Sequence, residues 1–354
     1  MICEERKLVW KGAIPMQLQL HNSEVTTVPP PSNFLMLAPR NGYLPLLLPY
    51  IKPHFQSALP IGQDTGWFEY EGLPLKWHVP TGVLYDLLCF EPARPWNLMV
   101  HFRGFPSELI PFEGEETIIR SFINSLKEAS YVIHGSTKHV MNLSQMEQAE
   151  LWRSVVEGDI ESYERACIKL APSVSTNSAS VKADEMNIVK VPFRLYMRRV
   201  EVNDKGFSEA HPLKHWDHIT YISRPVEIKR EDGDTVTLWE ALQNIAPQLF
   251  VCASELQGRD HTLPAPLVWE SESSSAVATE SAETDYSRYP KIIPITHYMW
   301  GQKTYFVNGL IRIQGIEPNP RLPVDWIARN LSAPDYFVHV CILIATNHKD
   351  SSAQ

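Results

Sequence analysis

The stretch "WFEYEGLPLKWHVPTGVLYDLL", Trp67 to Leu88, decides the fold because its outline returns near the C-terminus as "LIRIQGIEPNPRLPVDWIARNLS", Leu310 to Ser332. In both, strand-forming residues run into a glycine-containing turn, "EGLP" or "QGIEP", and a proline, Pro80 or Pro323, then opens a short apolar helix. The first copy reads as a hairpin turning at Glu71 and Gly72. A strongly apolar strand closes each copy, "WNLMVHFRGF" in one and "YFVHVCILIA" in the other. A repeat of this length is one supersecondary unit used twice.

The flanks complete both units. Ahead of the first copy, Ile14, Met16, Leu18 and Leu20 alternate as in a half-buried strand, and "FLMLAPR" supplies a second. Pro45, Pro49 and Pro53 interrupt "YLPLLLPYIKPHFQSAL", which confines the expected helix to Ile51–Leu59. Ahead of the second copy come "IVKVPFRLYMRR", "HITYISRPVEI" and the helix "TLWEALQNIAPQLF". The order strand, strand, helix, strand, short helix, strand suits a β-grasp, a mixed sheet curled around one helix. A ferredoxin-like unit would need two full crossover helices, and the second helices are too short.

Helical sequence lies between the copies. In "FINSLKEASYVI", Phe122 to Ile133, the residues Phe122, Leu126, Ala129 and Ile133 share a face with Ile118 and Ile119, while Lys127 falls roughly 100° from its centre. Its neighbours at three and four residues are Ile123, Asn124, Ser130 and Tyr131, so no carboxylate is placed to pair with it along the helix. A solubilising surface lysine is the plain reading of that position. Ser144 and Glu147 form a capping box, with Met146, Ala149, Trp152 and Val155 as the stripe behind it. Asp159 caps a further helix carrying Ile160, Tyr163, Cys167 and Leu170. The fold expected is α+β: β-grasp units over residues 1–110 and 188–345 flank a helix-rich domain over 111–171, with a linker at 172–187 and an insertion at 254–308. Within the insertion, Ser271–Asp285 lacks large apolar residues and is expected to be disordered and dispensable, whereas "KIIPITHYMW" and "KTYFVNG" read equally as edge strands or loop.

Composition narrows the function. A hydrophobic share of 44% over 354 residues supports real cores, and 32 basic against 41 acidic residues, net charge -9, argues against unaided nucleic-acid binding. The five cysteines show no CxxC pair, as expected of reduced thiols, and Cys89 and Cys341 lie in apolar runs that should bury them. "MICEERKLVWK" is too charged for a signal peptide and no apolar run reaches about 20 residues, so a soluble intracellular chain is expected. No Walker A, GxGxxG, GxSxG or HExxH motif occurs, hence no cofactor and no catalytic residue is assigned. "HPLKHWDH" gathers His211, His215, Asp217 and His218 as either a metal site or a solvated loop, with the loop favoured by Pro212. His78 and His101 are expected to be hydrogen-bonded structural residues, and Trp10, Trp77, Trp96, Trp152 and Trp326 to be mostly core. A double ubiquitin-like chain could be a donor, but "NHKDSSAQ" has no glycine tail, which leaves adaptor or acceptor.

Taken together, "VWKGAIP", "HFQ", "WFEYEGLPLKWHVPTGVLYDLL", "PWNLMVHFRGFP", "SLKEA", "LW" at Leu151, "VPFRLY", "GIEP" and "FVHV" resemble, in order, the autophagy protein 5 family, most of all its plant-type members. The resemblance implies two ubiquitin-like domains around a helix-rich one and an acceptor lysine in a "KEA" context, which here is Lys127. By the same resemblance, Lys127 would form an isopeptide bond with the ubiquitin-like autophagy protein 12, and the chain would bind a helix of autophagy protein 16. The complex would promote transfer of autophagy protein 8 to phosphatidylethanolamine, meeting the conjugating enzymes of proteins 12 and 8. This is ligase-like scaffolding without an active site, in the cytoplasm and at the phagophore membrane. An unconjugated ubiquitin-like adaptor is the alternative. Three small domains with limited cores are expected to leave an apolar groove where all of them meet, open to the partner helix.

Overall fold

The computed structural model describes residues 3–62, 65–89, 94–167, 170, 190–202, 208–209, 213–230, 232–247, 249–252, 296–300, 303–307 and 309–347. The linker and the Ser271–Asp285 tract lie outside them.

The first sheet contains β1 (Ala13–Leu20), β2 (Phe34–Pro39), β3 (Trp67–Tyr70), β4 (Leu73–Pro74) and β5 (Trp96–His101) in the order β2-β1-β5-β3-β4. β1 pairs antiparallel with β2 and parallel with β5, Leu18 facing Leu98. That is the β-grasp arrangement: the chain must cross over between β1 and β5, and its helices cover one face. The covering elements are α2 (Leu48–Phe55) and α3 (Thr81–Leu88). α2 begins three residues earlier than expected, because Pro49 sits in the first turn, where no hydrogen bond is lost. The hairpin turns at Glu71 (φ 51°) and Gly72 (φ 88°), the paired positive φ of a type I′ turn that matches strand twist.

The second unit repeats this plan. β6 (Lys190–Val202) is central, flanked antiparallel by β7 (Ser208–Glu209) and β8 (Ile219–Glu227). β12 (Gly309–Arg312) and β13 (Val338–Asn347) follow, with β13 parallel to β6 so that Val338 faces Phe193. α8 (Leu238–Ile245) and α9 (Val324–Leu331) cover the sheet. The turn after β12 again has two positive φ values in succession, Gln314 at 54° and Gly315 at 76°. Pro80 and Pro323 precede their helices with nearly equal backbone angles. α8 stops short of the expected Phe250 because Pro247 forces Ala246 out of the helical region. β9 (Phe250–Cys252), β10 (Thr296–Trp300) and β11 (Lys303–Val307) form a separate three-stranded sheet, so the two segments left open within the insertion contribute strands.

The helical region consists of α4 (Glu115–His134), α5 (Lys138–Met141), α6 (Gln145–Glu157) and α7 (Ile160–Ala166). The Ser144–Glu147 box and the Asp159 cap both form. Two stripes differ from expectation. On α4, Ile123 and Ser130 are buried while Ile119 and Ile133 are only half-buried, since the helix packs against more than its own bundle. On α6, Met146 and Ala149 are exposed, and burial begins at Leu151 and Trp152. One helix was not expected: α1 (Glu4–Trp10), whose Trp10 meets Tyr163 at 4.5 Å and whose Arg6 donates to the Arg329 carbonyl of α9.

Candidate functional site

Lys127 lies near the middle of α4. It is half-buried, and among the described residues no ion pair or hydrogen bond engages its amine. Ile118, Phe122, Ile123 and Leu126 anchor the helix in the core of the helical region. A second attachment comes from β6. Its odd residues Phe193, Leu195 and Met197 fill the core of the second unit, which turns Arg194, Tyr196 and Arg198 to the opposite face. That face is buried too.

Arg194 donates from Nη1 to Ser125 Oγ at 3.1 Å and from Nη2 to Glu128 Oε2 at 2.6 Å, the two residues that bracket Lys127. Beneath it, Asp335 Oδ2 accepts from Nη1 at 3.3 Å and the Phe337 ring lies 3.5 Å from the guanidinium carbon. Asp335 Oδ1 lies 3.2 Å from His339 Nε2, and Tyr196 Oη lies 3.1 Å from His339 Nδ1. Burial alone would raise the Asp335 carboxyl, yet His339 and Arg194 hold it below the usual carboxylate range. What the arrangement offers is a lysine amine on a helical turn held from two sides, with Glu128 and Asp335 paired to Arg194.

A cavity of about 840 Å³ opens between the first β-grasp and the helical region, walled by Met36 and Leu37 of β2, Leu46, Tyr50, Ile118 of α4 and Val156 of α6. No described residue of the second β-grasp lines it, so this groove draws on two units rather than the three expected.

The histidine-rich loop has a different use. Trp216–His218 form a single turn, His211 lies outside the described residues, and no cluster fit for a metal occurs among the described residues. Instead Trp216 Nε1 donates to the Pro74 carbonyl at 2.7 Å, and Lys76 sits 4.7 Å over its ring, strapping the second unit to the first. His101 stacks on Trp67 at 3.8 Å between Glu24 and Glu69, and burial pushes its imidazole down to about 4 against the effect of Glu69. His78 departs from its expected role: among the described residues its Nδ1 is buried without a hydrogen-bond partner. Cys89 and Cys341 are buried, the Cys89 thiol pushed up to about 12 by desolvation. Trp10, Trp77, Trp96 and Trp152 are core residues and Trp326 is half-buried. No described helix is long and apolar enough to cross a membrane.

Sequence reasoning singled out Lys127 and missed Arg194. The partial signal is in "PFRLYMRR", where Arg194 and Arg198 alternate onto one face of a strand and would need anions or carbonyls if that face were buried.

Comparison with known proteins agrees with this architecture. Residues 9–102 match the family model "Autophagy protein ATG5, UblA domain", 115–173 match "Autophagy protein ATG5, alpha-helical bundle region" and 190–342 match "Autophagy protein ATG5, UblB domain". A relative named Autophagy protein 5 from Oryza sativa subsp. indica is 42% identical over 98% of this chain and 95% of its own length. Its namesake in Arabidopsis thaliana is 39% identical over 97% and 98%. The crystal structure of Kluyveromyces marxianus Atg5 covers 96% of this chain and 99% of its own with a TM-score of 0.59; at 16% identity that likeness concerns the fold. With both ubiquitin-like domains and the helical bundle matched in order along nearly its whole length, the chain belongs to the autophagy protein 5 family.

Proposed function

We propose that this chain is a conjugation scaffold of autophagy, accepting autophagy protein 12 on Lys127 and, with autophagy protein 16 bound, promoting lipidation of autophagy protein 8. The observation that carries the reading is the state of Lys127: half-buried, unengaged among the described residues and fixed from two sides on a long helix. Nearly every lysine is protonated at neutral pH, so the conjugating enzyme supplies deprotonation. The amine nitrogen then attacks the donor's C-terminal carbonyl, held as a thioester on that enzyme. The C–N bond forms, the C–S bond breaks, and the amine proton ends on the released thiol. This chain contributes position, which alone changes rates by orders of magnitude. Such a scaffold works in the cytoplasm and reaches the phagophore membrane through its complex.

Lys127→Arg tests the assignment, because guanidinium retains the charge but not a usable amine. The slow-migrating conjugate should disappear from a gel while the melting midpoint stays where it was. A conjugate that persists would overturn it in favour of another acceptor.

The apolar groove beside β2 is the proposed seat of the autophagy protein 16 helix, whose spaced anchors need such a trough. Leu37 is 69% exposed on its wall, so Leu37→Asp should leave folding intact and weaken binding of that helix at least tenfold by calorimetry. Unchanged affinity would place the helix elsewhere.

A further inference from the structure

We infer that Arg194 is a positioning residue for the acceptor lysine, so that the second ubiquitin-like domain, and not only the helical bundle, sets how Lys127 is presented. This rests on the assignment of Lys127 as acceptor. Ser125 and Glu128 stand on either side of Lys127 in the sequence, and both receive hydrogen bonds from one guanidinium, at 3.1 and 2.6 Å. Arg194 is itself only 9% exposed and is fixed from below by Asp335 and by the face of Phe337. The apolar contacts of Ile118, Phe122 and Leu126 resist separation of α4 from its bundle, but they are non-directional and leave the roll of the helix weakly specified. A planar fork whose Nη1 is also held by Asp335 is directional. It pins the one turn whose orientation decides where the amine points.

The same contact holds the Glu128 carboxylate on Arg194. Its side chain is 61% exposed, so without the arginine it would be free to swing across the surface around Lys127. Attack on a thioester needs nitrogen and carbonyl carbon within a narrow window, and a displacement of about 1 Å can lower a rate by roughly a hundredfold. Losing the fork therefore reduces the chemical step rather than the encounter.

The test is single-turnover transfer to the full-length chain from its conjugating enzyme charged with the donor, with the enzyme concentration varied to separate kcat from KM, and with melting midpoints measured alongside. Glu128→Gln changes an exposed residue and keeps Arg194 paired with Asp335, so it folds. It should lower kcat by about tenfold with KM nearly unchanged. Arg194→Lys keeps the buried charge but not the fork; it should lower kcat similarly, and combining it with Glu128→Gln should add little. Unchanged kcat in Glu128→Gln overturns the inference, as does a change confined to KM, which would make Glu128 a docking contact for the enzyme. Lys127→Arg in the same assay separates the two levels: if it still accepts donor, the acceptor assignment has failed; if it does not, a silent Glu128→Gln removes only the role of Arg194.

Discussion

Asp335 shows how one buried carboxylate can hold two chain segments together. It is 3% exposed and receives Arg194 on one oxygen and His339 on the other, so removing its charge would leave a buried guanidinium with the exposed Glu128 as its remaining counter-charge among the described residues. Asp335→Asn should destabilise the protein by about 3 kcal/mol at pH 7, read from the urea midpoint. The sign of the pH effect follows from its depressed ionisation. A carboxyl whose folded pKa lies below its ordinary 3.8 stabilises the native state fully above that value, and the contribution is lost as pH falls through 3.8 toward the folded value. The gap between parent and variant should therefore be constant from pH 7 to about 5 and close below about 4. A gap that widened on acidification would contradict the charge pairing.

At the scale of elements, caps and turns did most to fix boundaries. Ser144 accepts from the Glu147 amide while the Glu147 carboxylate accepts from the Ser144 amide at 2.7 Å, the reciprocal box legible in "SQME". Ser144 is exposed, so Ser144→Ala should cost about 1 kcal/mol through the cap alone, measurable as a lower thermal midpoint with no change in the folded spectrum. Where sequence periodicity misplaced an element, a competing local rule explains it. Pro49 costs nothing in a first helical turn, and Pro247 ends α8 early. On α6, Met146 matched the helical period and yet is exposed, while Trp152 and Val155 further along are buried.

Across the whole molecule the units share their cores. Tyr196 and Cys341 belong to the apolar cluster of the first β-grasp, and Leu213, Trp216 and Ile219 pack onto it. Arg198 and Arg312 donate to the carbonyls of Leu88 and Cys89, each at 2.7 Å, so cations of the second unit close the C-terminus of α3. Asp86, 3% exposed, accepts from the Gly315 amide at 2.7 Å and pairs with Arg40. A fragment ending at Leu170 would expose this surface and leave those carbonyls unpaired. The full chain should melt in a single calorimetric transition, and the fragment should melt far lower or aggregate. Equal midpoints would show that the domains are energetically independent.

How much of this was legible beforehand depends on the range of the interactions concerned. The duplicated β-grasp plan, the turn at Glu71–Gly72 and the capping box follow from residues close in sequence, because periodicity, turn chemistry and caps act over one or two turns, whereas Lys127 reads locally as a surface lysine and stands out only through the family resemblance. The two-unit groove, the strap made by Trp216 and the attachment of Arg194 beside Lys127 join residues that are distant in the chain. In "PFRLYMRR" the alternation marks one polar face without saying whether water or protein covers it; here protein covers it. Only the packing of three units against one another could decide that, since the cost of burying an arginine is met by partners whose proximity no local pattern encodes.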